Sequence, residues 1–431
     1  MVVMGGIVGS GIFINPYVVA QQVHTPALIL GAWMFGGVIG LAGAFIWAEL
    51  AATLPEVGGQ YAYLREAYHP GVAFLYAWGL LLVTQTGGMA AVAITFAKYF
   101  LELTGWRAAD WLVASVALGV LTVINCLGVK SGGRTQSLLM VLKIVAIAML
   151  VVFGFALAGK SHEATITAGA TTLGSFGAAM VPVLFAYGGW QTSSFLAGEI
   201  KEPEKNLPRG LVMGVLGVIA LYTTVNLVCV RALGPAALAQ TSTPATAVMR
   251  LALGGPGATF IAAAIAISTF GFLSQSILTA PRVYFAMAED GLFFRAVAWV
   301  HPTTRVPVVA IVLQSVWTIV IALSGRYEQI LNYVVSMDWV FFGATAATLF
   351  VFRRRQRSGA MRVEGVPRVP GHPYTTAIFV AISCWIVGNT IYRYPQNSLI
   401  GFALLAAGVP VYFLWARNST PKARRHEGIQ D

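Results

Sequence analysis

The chain has 431 residues, of which 57% are hydrophobic and only 10% are charged, and its mean hydropathy is +0.75. A soluble domain of this size does not reach such values, whereas repeated apolar runs of about 20 residues are typical of polytopic helical membrane proteins. The charged residues lie mostly between these runs, so the net charge of +11 reflects membrane topology rather than nucleic-acid binding. We predict an all-α protein whose surroundings are the lipid bilayer, without a nucleic-acid partner.

Twelve apolar spans predict twelve transmembrane helices. With the N-terminus in the cytoplasm, most of the 27 Lys and Arg residues fall in cytoplasmic loops, as the positive-inside rule requires. We therefore predict a multi-pass protein of the cytoplasmic (inner) membrane with both termini in the cytoplasm. The spans cover approximately 1–22, 27–53, 71–100, 109–128, 136–158, 174–198, 208–231, 257–288, 306–324, 328–352, 374–393 and 397–416.

The first span contains the stretch Gly9-Ser10-Gly11-Ile12-Phe13. Each glycine disfavours a helix by up to roughly 1 kcal/mol, and a helix break at membrane depth is tolerated where its backbone groups line a cavity or meet a ligand. A helix that restarts after the break points its N–H groups into the gap, which suits a carboxylate. We expect Gly9, Ser10, Gly11 and Ile12 to bind one; the alternative is a closely packed, unbroken helix.

The sixth span contains a second break, at the adjacent residues Gly188 and Gly189. Paired interruptions at corresponding places in two halves indicate a secondary transporter built from inverted repeats. One break then offers donors and the other offers carbonyl acceptors, which suits the two charges of a zwitterion. The residues expected to contact its ammonium group and side chain are Phe185, Ala186, Tyr187, Gly188, Gly189 and Gln191.

The two breaks divide the chain into repeats. Spans one to five (1–158) correspond to spans six to ten (174–352), so residues 1–352 form the expected transport core. The halves show no convincing sequence identity, so the repeat depends on hydropathy and the two breaks. Residues 374–416 add two transmembrane helices, and residues 417–431 form a basic cytoplasmic tail.

Two charged residues lie within spans. Lys143 is deep in span five, where a charge is costly unless it is paired or meets water, so a role in coupling is the default hypothesis and snorkelling the alternative. Asp338 lies in span ten, where gating, a proton relay and a structural hydrogen bond remain open. Trp190, next to the second break, is a further gating candidate. Glu49 and Glu102 lie near span ends and are expected to be structural.

Two polar segments also have open interpretations. Residues 63–68 predict a short amphipathic helix at the cytoplasmic surface, either a solvated connector or part of a gate. The eighth span carries a stripe of polar side chains, which hold membrane helices together as often as they line sites. This stripe consists of Ser268, Thr269, Ser274, Gln275 and Ser276.

A series of motifs, in this order, resembles the amino acid–polyamine–organocation superfamily of permeases over nearly the whole chain. The likeness is greatest to bacterial relatives of the L-type amino-acid transporters and serine/threonine exchangers. The motifs are Gly9-Ser10-Gly11-Ile12-Phe13, Ala48-Glu49-Leu50-Ala51, and the segments 58–68, 185–190, 198–209 and 280–291.

The resemblance implies a LeuT-type fold of five-plus-five inverted repeats with two additional C-terminal helices, in which helices 1 and 6 are discontinuous. It also implies that the span-one break binds the substrate carboxylate. Lys143 matches a family lysine whose ammonium takes the place of a sodium ion between spans one and eight, and we group Ser274 with it. Sodium-independent transport is therefore expected.

Departures from the family pattern bear on function. Gln191 and Ser274 stand where many relatives have asparagine, so the side-chain pocket is expected to differ. Only eight residues precede Gly9, fewer than in relatives, which indicates a trimmed start or a shortened inner gate. The heavy chain of animal relatives attaches through a cysteine between spans three and four. Residues 101–108 contain none, so we expect no disulfide-linked partner.

These observations predict an amino-acid transporter that works by alternating access. We expect sodium-independent exchange or proton-coupled symport of neutral L-amino acids. The alternative is a cationic amino-acid or polyamine permease, against which we count the lack of an acidic residue beside either break. The sequence has no catalytic cluster, metal-ligand spacing or cofactor motif and no repeated pore motif, which argues against an enzyme, a metal or cofactor site, and a channel.

Overall fold

The computed structural model describes residues 2–54, 59–128, 133–159, 172–191, 202–324, 327–361 and 365–418. Within these ranges the regular elements are all helical, and no β-strand occurs. In the described part of the chain, seven helical segments are long and apolar enough to cross a membrane, and four shorter apolar helices accompany them. The chain is therefore an all-helical, multi-pass membrane protein, as predicted.

Sixteen α-helices lie within the described ranges. A π-helical turn, Leu80–Thr84, joins α5 to α6, and a 3-10 helix, Arg295–Ala298, follows α12. The α-helices are α1 (Val2–Ile7), α2 (Gly11–Gln22), α3 (Pro26–Thr53), α4 (Gln60–Ala67), α5 (Pro70–Gly79), α6 (Gln85–Thr104), α7 (Asp110–Cys126), α8 (Gly133–Leu157), α9 (Leu173–Tyr187), α10 (Pro203–Leu238), α11 (Pro244–Thr279), α12 (Pro281–Glu289), α13 (Val308–Ser324), α14 (Tyr327–Arg357), α15 (Tyr374–Arg393) and α16 (Pro395–Asn418).

The helix bounds follow the predicted spans with local differences. Span three corresponds to α5, the π turn and α6 together, and span eight corresponds to α11 and α12. α11 begins thirteen residues before the predicted start of span eight, because the helix continues through a kink at Gly254. The last part of span six, residues 192–198, lies outside the described residues. Most of the predicted basic tail, from residue 419 onward, does so as well.

Several helix ends follow local chemical signals. The Thr25 side chain accepts a hydrogen bond from Leu28 N at the start of α3, and His69 Nδ1 accepts one from Gly71 N at the start of α5. Both helices have proline at the first helical position, where the missing N–H group costs nothing. α6 ends at Gly105, whose φ of +69° stops the helix in the left-handed region.

The short helix α4 is docked against other helices. Gln60 Nε2 donates to the carbonyl oxygen of Phe341 at 3.2 Å, while Tyr61 Oη and Arg65 Nη1 both donate to Asp290 Oδ2, at 2.8 and 3.0 Å. Burial and the Asp290 carboxylate raise the pKa of the Tyr61 phenol, which keeps it protonated as the donor. The predicted helix is present, and the interpretation of it as a solvated connector is wrong because most of its side chains are buried.

A buried ion pair connects α3 to α14. Arg353 Nε and Nη2 donate to the two carboxylate oxygens of Glu49 at 2.8 and 2.7 Å, and Val369 N donates to Glu49 Oε2 at 2.6 Å. The Glu49 side chain is 3% exposed and that of Arg353 12%. The pair agrees with the structural role expected for Glu49, and it also fixes the loop between α14 and α15.

We predict that Glu49→Gln destabilises the protein by about 3 kcal/mol, because it leaves the buried Arg353 guanidinium without its counter-charge. The matched control is Glu102→Gln, since Glu102 pairs with Arg250 at 3.3 Å at a solvent-accessible position. This control should cost less than about 1 kcal/mol. Unfolding of the purified protein in mixed detergent micelles measures both, and equal losses in the two variants would contradict the prediction.

Candidate functional site

A central cavity is lined by residues of both glycine-containing breaks. The first break contributes Gly9, Ser10 and Gly11, and helices α6, α11 and α14 complete the wall. The structure therefore brings together two segments that lie some 180 positions apart in the chain. The second break contributes Phe185, Ala186, Gly188, Gly189 and Gln191.

The first break leaves backbone donors beside this cavity. α1 ends at Ile7, whose carbonyl oxygen accepts from Gly9 N at 2.8 Å, and α2 begins at Gly11. Among the described residues, no backbone carbonyl accepts a hydrogen bond from the N–H groups of Ser10, Gly11 or Ile12. These groups form the N-terminal end of α2, where the helix dipole favours an anion.

The second break has a different arrangement of backbone groups. Gly188 N donates to the carbonyl oxygens of Leu184 and Phe185 at 2.9 and 3.2 Å, which ends α9. Gly189 has a φ of +104°, and its N–H group donates to Gln191 Oε1 at 2.9 Å. The predicted carbonyl of Phe185 thus already accepts one hydrogen bond, and it retains a second lone pair for a ligand.

The two breaks touch through backbone atoms. A Cβ atom on Gly189 would lie 2.2 Å from the carbonyl oxygen of Gly6, and one on Gly11 would lie 2.7 Å from Ala186 Cα. Tyr222 Oη, on α10, is 3.1 Å from the carbonyl oxygens of both Ile7 and Ala186. Glycine is required at this contact because any side chain would separate the two segments.

Lys143 reaches the first break from α8. Its ammonium group donates to the carbonyl oxygen of Val8 and lies 5.8 Å from the ring centroid of Phe272 on α11. Phe272 lines the cavity and packs on Gly9. The side chain is 5% exposed and points inward, so the snorkelling alternative does not describe it. The ammonium therefore connects spans one and eight, which is the placement that the resemblance implies.

A set of hydrogen bonds joins α2, which carries the first break, to α6, α9 and α14. Asn15 Nδ2 donates to the carbonyl oxygen of Pro182 on α9 at 2.6 Å, and Tyr327 Oη on α14 donates to Asn15 Oδ1 at 2.8 Å. Tyr99 Oη on α6 donates to the carbonyl oxygen of Phe13 at 3.0 Å. The sequence analysis missed these residues; the one local signal was Asn15 itself, an amide in an apolar helix.

Asp338 lines the same cavity, together with Thr84 and Gln85. The Thr84 side chain lies next to the Asp338 carboxyl group. Thr84 ends the π-helical turn, and Thr86 Oγ1 supports this turn by donating to the carbonyl oxygen of Leu81 at 2.7 Å. Such turns are frequent at functional sites. The sequence analysis noted Asp338 but missed Thr84 and Gln85, since hydropathy does not reveal a π turn.

Some predicted site residues lie outside the cavity lining. The ring centroid of Tyr187 is 5.1 Å from that of Tyr222, in an aromatic cluster behind the break. Trp190 is fully buried, and Ser274 Oγ accepts from Asn125 Nδ2 at 3.4 Å. Their expected contact with substrate or gate is therefore not visible in this conformation. The residues concerned are Ile12, Tyr187, Trp190 and Ser274.

Comparison with known families agrees with this geometry. The family model for amino acid permeases matches residues 1–415, nearly the whole chain. The chain belongs to the amino acid permease family. This permease is accordingly an amino-acid transporter and not an enzyme.

Three relatives of the permease illustrate the range of the family. It is 32% identical over 417 residues to the serine/threonine exchanger SteT of Bacillus subtilis (strain 168), covering 95% of this chain and 94% of that protein. It is 28% identical over 430 residues to the large neutral amino acids transporter small subunit 2 of Homo sapiens, with coverage of 96% and 78%. It is 26% identical over 442 residues to the b(0,+)-type amino acid transporter 1 of Rattus norvegicus, with coverage of 99% and 89%.

We predict that Gly189→Ala abolishes transport by this permease and destabilises it by at least about 2 kcal/mol, because alanine is strained at this φ and its Cβ would push the breaks apart. Gly119→Ala is the matched control, since nothing lies within 4 Å of a Cβ at Gly119. Transport into vesicles and unfolding in detergent check both variants. Normal transport by Gly189→Ala would show that the contact between the breaks is dispensable.

Proposed function

We propose that this permease is a sodium-independent exchanger of neutral L-amino acids with a LeuT-type fold that works by alternating access. The observation that carries the proposal is the single cavity lined by both glycine breaks. In this proposal α1 and α2 are the halves of a discontinuous helix 1, and α9 is the first half of helix 6. Residues 1–352 form the transport core, and α15 and α16 are the two additional helices.

Helix pairing supports the inverted repeat. α2 packs on α9, α3 on α10 and α6 on α11. Each of these helices from the first half thereby contacts the helix at the corresponding place in the second half. Contacts of this kind are expected around a pseudo-twofold axis between two repeats of opposite topology, with the substrate site at the repeat interface.

The substrate is held at both ends of its zwitterion in this proposal. The N–H groups of Ser10, Gly11 and Ile12 bind the carboxylate at the N-terminus of α2. The ammonium group is bound by carbonyl oxygens of the second break, where Phe185 and Ala186 each keep a lone pair beyond the bond they already accept. A sugar or an inorganic ion would not use both ends.

Lys143 supports sodium independence. A sodium ion requires a cage of several oxygen ligands, and a fixed ammonium group that occupies the carbonyl of Val8 opposes a second cation nearby. We propose that Lys143 couples the first break to α11 during the transport cycle. Ser274, which contacts α7 through Asn125, belongs to the same helix and assists this coupling.

The proposed orientation places both termini in the cytoplasm. The closed side of the cavity, with the Asn15–Tyr327 hydrogen bond, then faces the exterior, and the Tyr61–Asp290 contact of α4 lies at the cytoplasmic surface. Asp338 and Trp190, the proposed gating residues, lie between these two layers. Because residues 101–108 contain no cysteine, we propose that the permease works without a disulfide-linked heavy chain.

Transport into proteoliposomes without sodium tests this function. Vesicles are preloaded with unlabelled neutral amino acids or left empty, and a panel of labelled amino acids is added outside. The proposal predicts uptake only into preloaded vesicles. Uptake into empty vesicles that grows with an inward proton gradient would instead indicate symport, and a requirement for sodium would contradict the proposal.

We predict that Lys143→Ala lowers exchange at least about tenfold while the protein still inserts and purifies, because a buried charged hydrogen bond contributes roughly 1.5–3 kcal/mol. Lys205→Ala is the control: Lys205 is 62% exposed, lies 3.5 Å from Glu202 and should be dispensable. Initial exchange rates per reconstituted protein measure both. Rates equal to wild type in Lys143→Ala would remove Lys143 from the mechanism.

A further inference from the structure

The cavity wall formed by α6 and α14 has a chemistry that the two charges of a zwitterion do not require. Asp338 contributes a carboxyl group to this wall, and Thr84 and Gln85 contribute a hydroxyl and an amide. On the neighbouring helix α11, Gln275 and Ser276 add further polar groups. A site for purely aliphatic side chains would present a more apolar wall, since the few polar groups of a small-molecule site fix the orientation of polar ligand atoms.

Close helix packing holds this polar wall in place. A Cβ on Gly87 of α6 would lie 2.4 Å from Val334 Cγ2 of α14, so the two helices are in backbone-close contact one turn from Asp338. The π turn before Gln85 ends at Thr84, which lines the cavity with its side chain next to the Asp338 carboxyl group. The carboxyl group is therefore positioned by its surroundings rather than free to turn away.

Asp338 differs from the paired acidic residues Glu49 and Asp290. Glu49 pairs with Arg353, and Asp290 pairs with Arg65. In the part of the chain that the structure describes, Asp338 makes no ion pair, and the Thr84 hydroxyl lies beside its carboxyl group. A carboxylate accepts up to about four hydrogen bonds, and one hydroxyl satisfies only part of this capacity. Asp338 lines the cavity, so a substrate side chain there can supply further donors.

We propose that Asp338, positioned by Thr84, selects amino acids whose side chains end in a hydrogen-bond donor: a hydroxyl, an amide or an ammonium group. A donor of this kind supplies the partner that the carboxyl group lacks, whereas an aliphatic side chain of the same shape excludes water and leaves it unsatisfied. The inference rests on the proposed transport function and names the side-chain class for the same site.

The position of Asp338 bears on the choice between neutral and cationic substrates. The absence of an acid beside either break counted against a cationic substrate, but the fold brings Asp338 from span ten into the cavity that both breaks line. Neutral and cationic donors therefore share one recognition chemistry at this wall. Which of them the permease transports is decided by the arms of the experiment.

The experiment compares donor-bearing substrates with closely related apolar analogues in preloaded proteoliposomes. Threonine and valine differ by a hydroxyl in place of a methyl group, and lysine and norleucine differ by a terminal ammonium. For wild type we expect kcat/KM to be at least about tenfold higher for the donor-bearing member of one pair. Preference in the threonine pair identifies neutral donors, and preference in the lysine pair identifies cationic donors.

Two variants assign the preference to Asp338. In Asp338→Ala the ratio of kcat/KM values within the preferred pair should fall to within about twofold of one, because valine or norleucine no longer leaves a carboxylate without hydrogen-bond partners. Asp338→Asn, which has nearly the same shape, should lose a preference for lysine and keep part of a preference for threonine. It also protects the test if Asp338→Ala fails to fold. Thr84→Val should reduce the ratio less than Asp338→Ala does.

The outcomes are separable. Equal kcat/KM within both pairs in wild type, or an unchanged ratio in both Asp338 variants, overturns the inference while exchange itself still supports the proposed function. A wild-type protein that exchanges no amino acid of the panel overturns the proposed function, and the inference with it. An Asp338 variant that lowers kcat/KM for all substrates by the same factor shows a structural role for Asp338, and this result also contradicts a role in substrate selection.

Discussion

Contact between two irregular backbone segments in the middle of a helical membrane protein is the constraint on which the rest of this structure depends. Lipid offers no hydrogen bonds, so backbone groups released by a helix break must meet protein or ligand. Here the two breaks pack against each other, since Gly189 lies against Gly6 and Gly11 lies against Ala186. Tyr222 serves carbonyl oxygens on both sides. A single break without the other would leave backbone polar groups without partners in the membrane. The cavity lies between the two breaks.

Charged groups in the permease fall into two sets that differ in the partners of the charge. Paired charges such as Glu49–Arg353 and Arg65–Asp290 join helices to loops near the ends of spans, where each acid has its own base. Around the cavity the charges contact backbone or hydroxyl groups instead, as Lys143 does with Val8 and Asp338 with Thr84. Such groups keep unused hydrogen-bonding capacity, which a passing substrate can engage.

The sequence predicted most of the spans and both breaks because apolar length and adjacent glycines are local properties of the chain. It also singled out Lys143, since an intramembrane charge is costly wherever the fold puts it. Contacts that depend on which helix faces which were not predictable: the Asn15–Tyr327 bond joins residues 312 positions apart. Adjacency to a break likewise does not reveal on which side of a helix a ring lies, so the aromatic contact between Tyr187 and Tyr222 was not predictable, and the contact of Tyr187 with substrate stays a prediction.

The π-helical turn at Leu80–Thr84 has a consequence for how the site can vary. A π turn holds one more residue than the α-helical turn it replaces, and each residue advances an α-helix by about 100°. Deleting a single residue there would remove this excess and restore a regular α-helical turn, so Pro70–Gly79 and α6 would keep nearly the same faces toward their neighbours. Point substitutions can retune this wall one side chain at a time, and a one-residue deletion would change it only at the turn itself, where Thr84 lines the cavity.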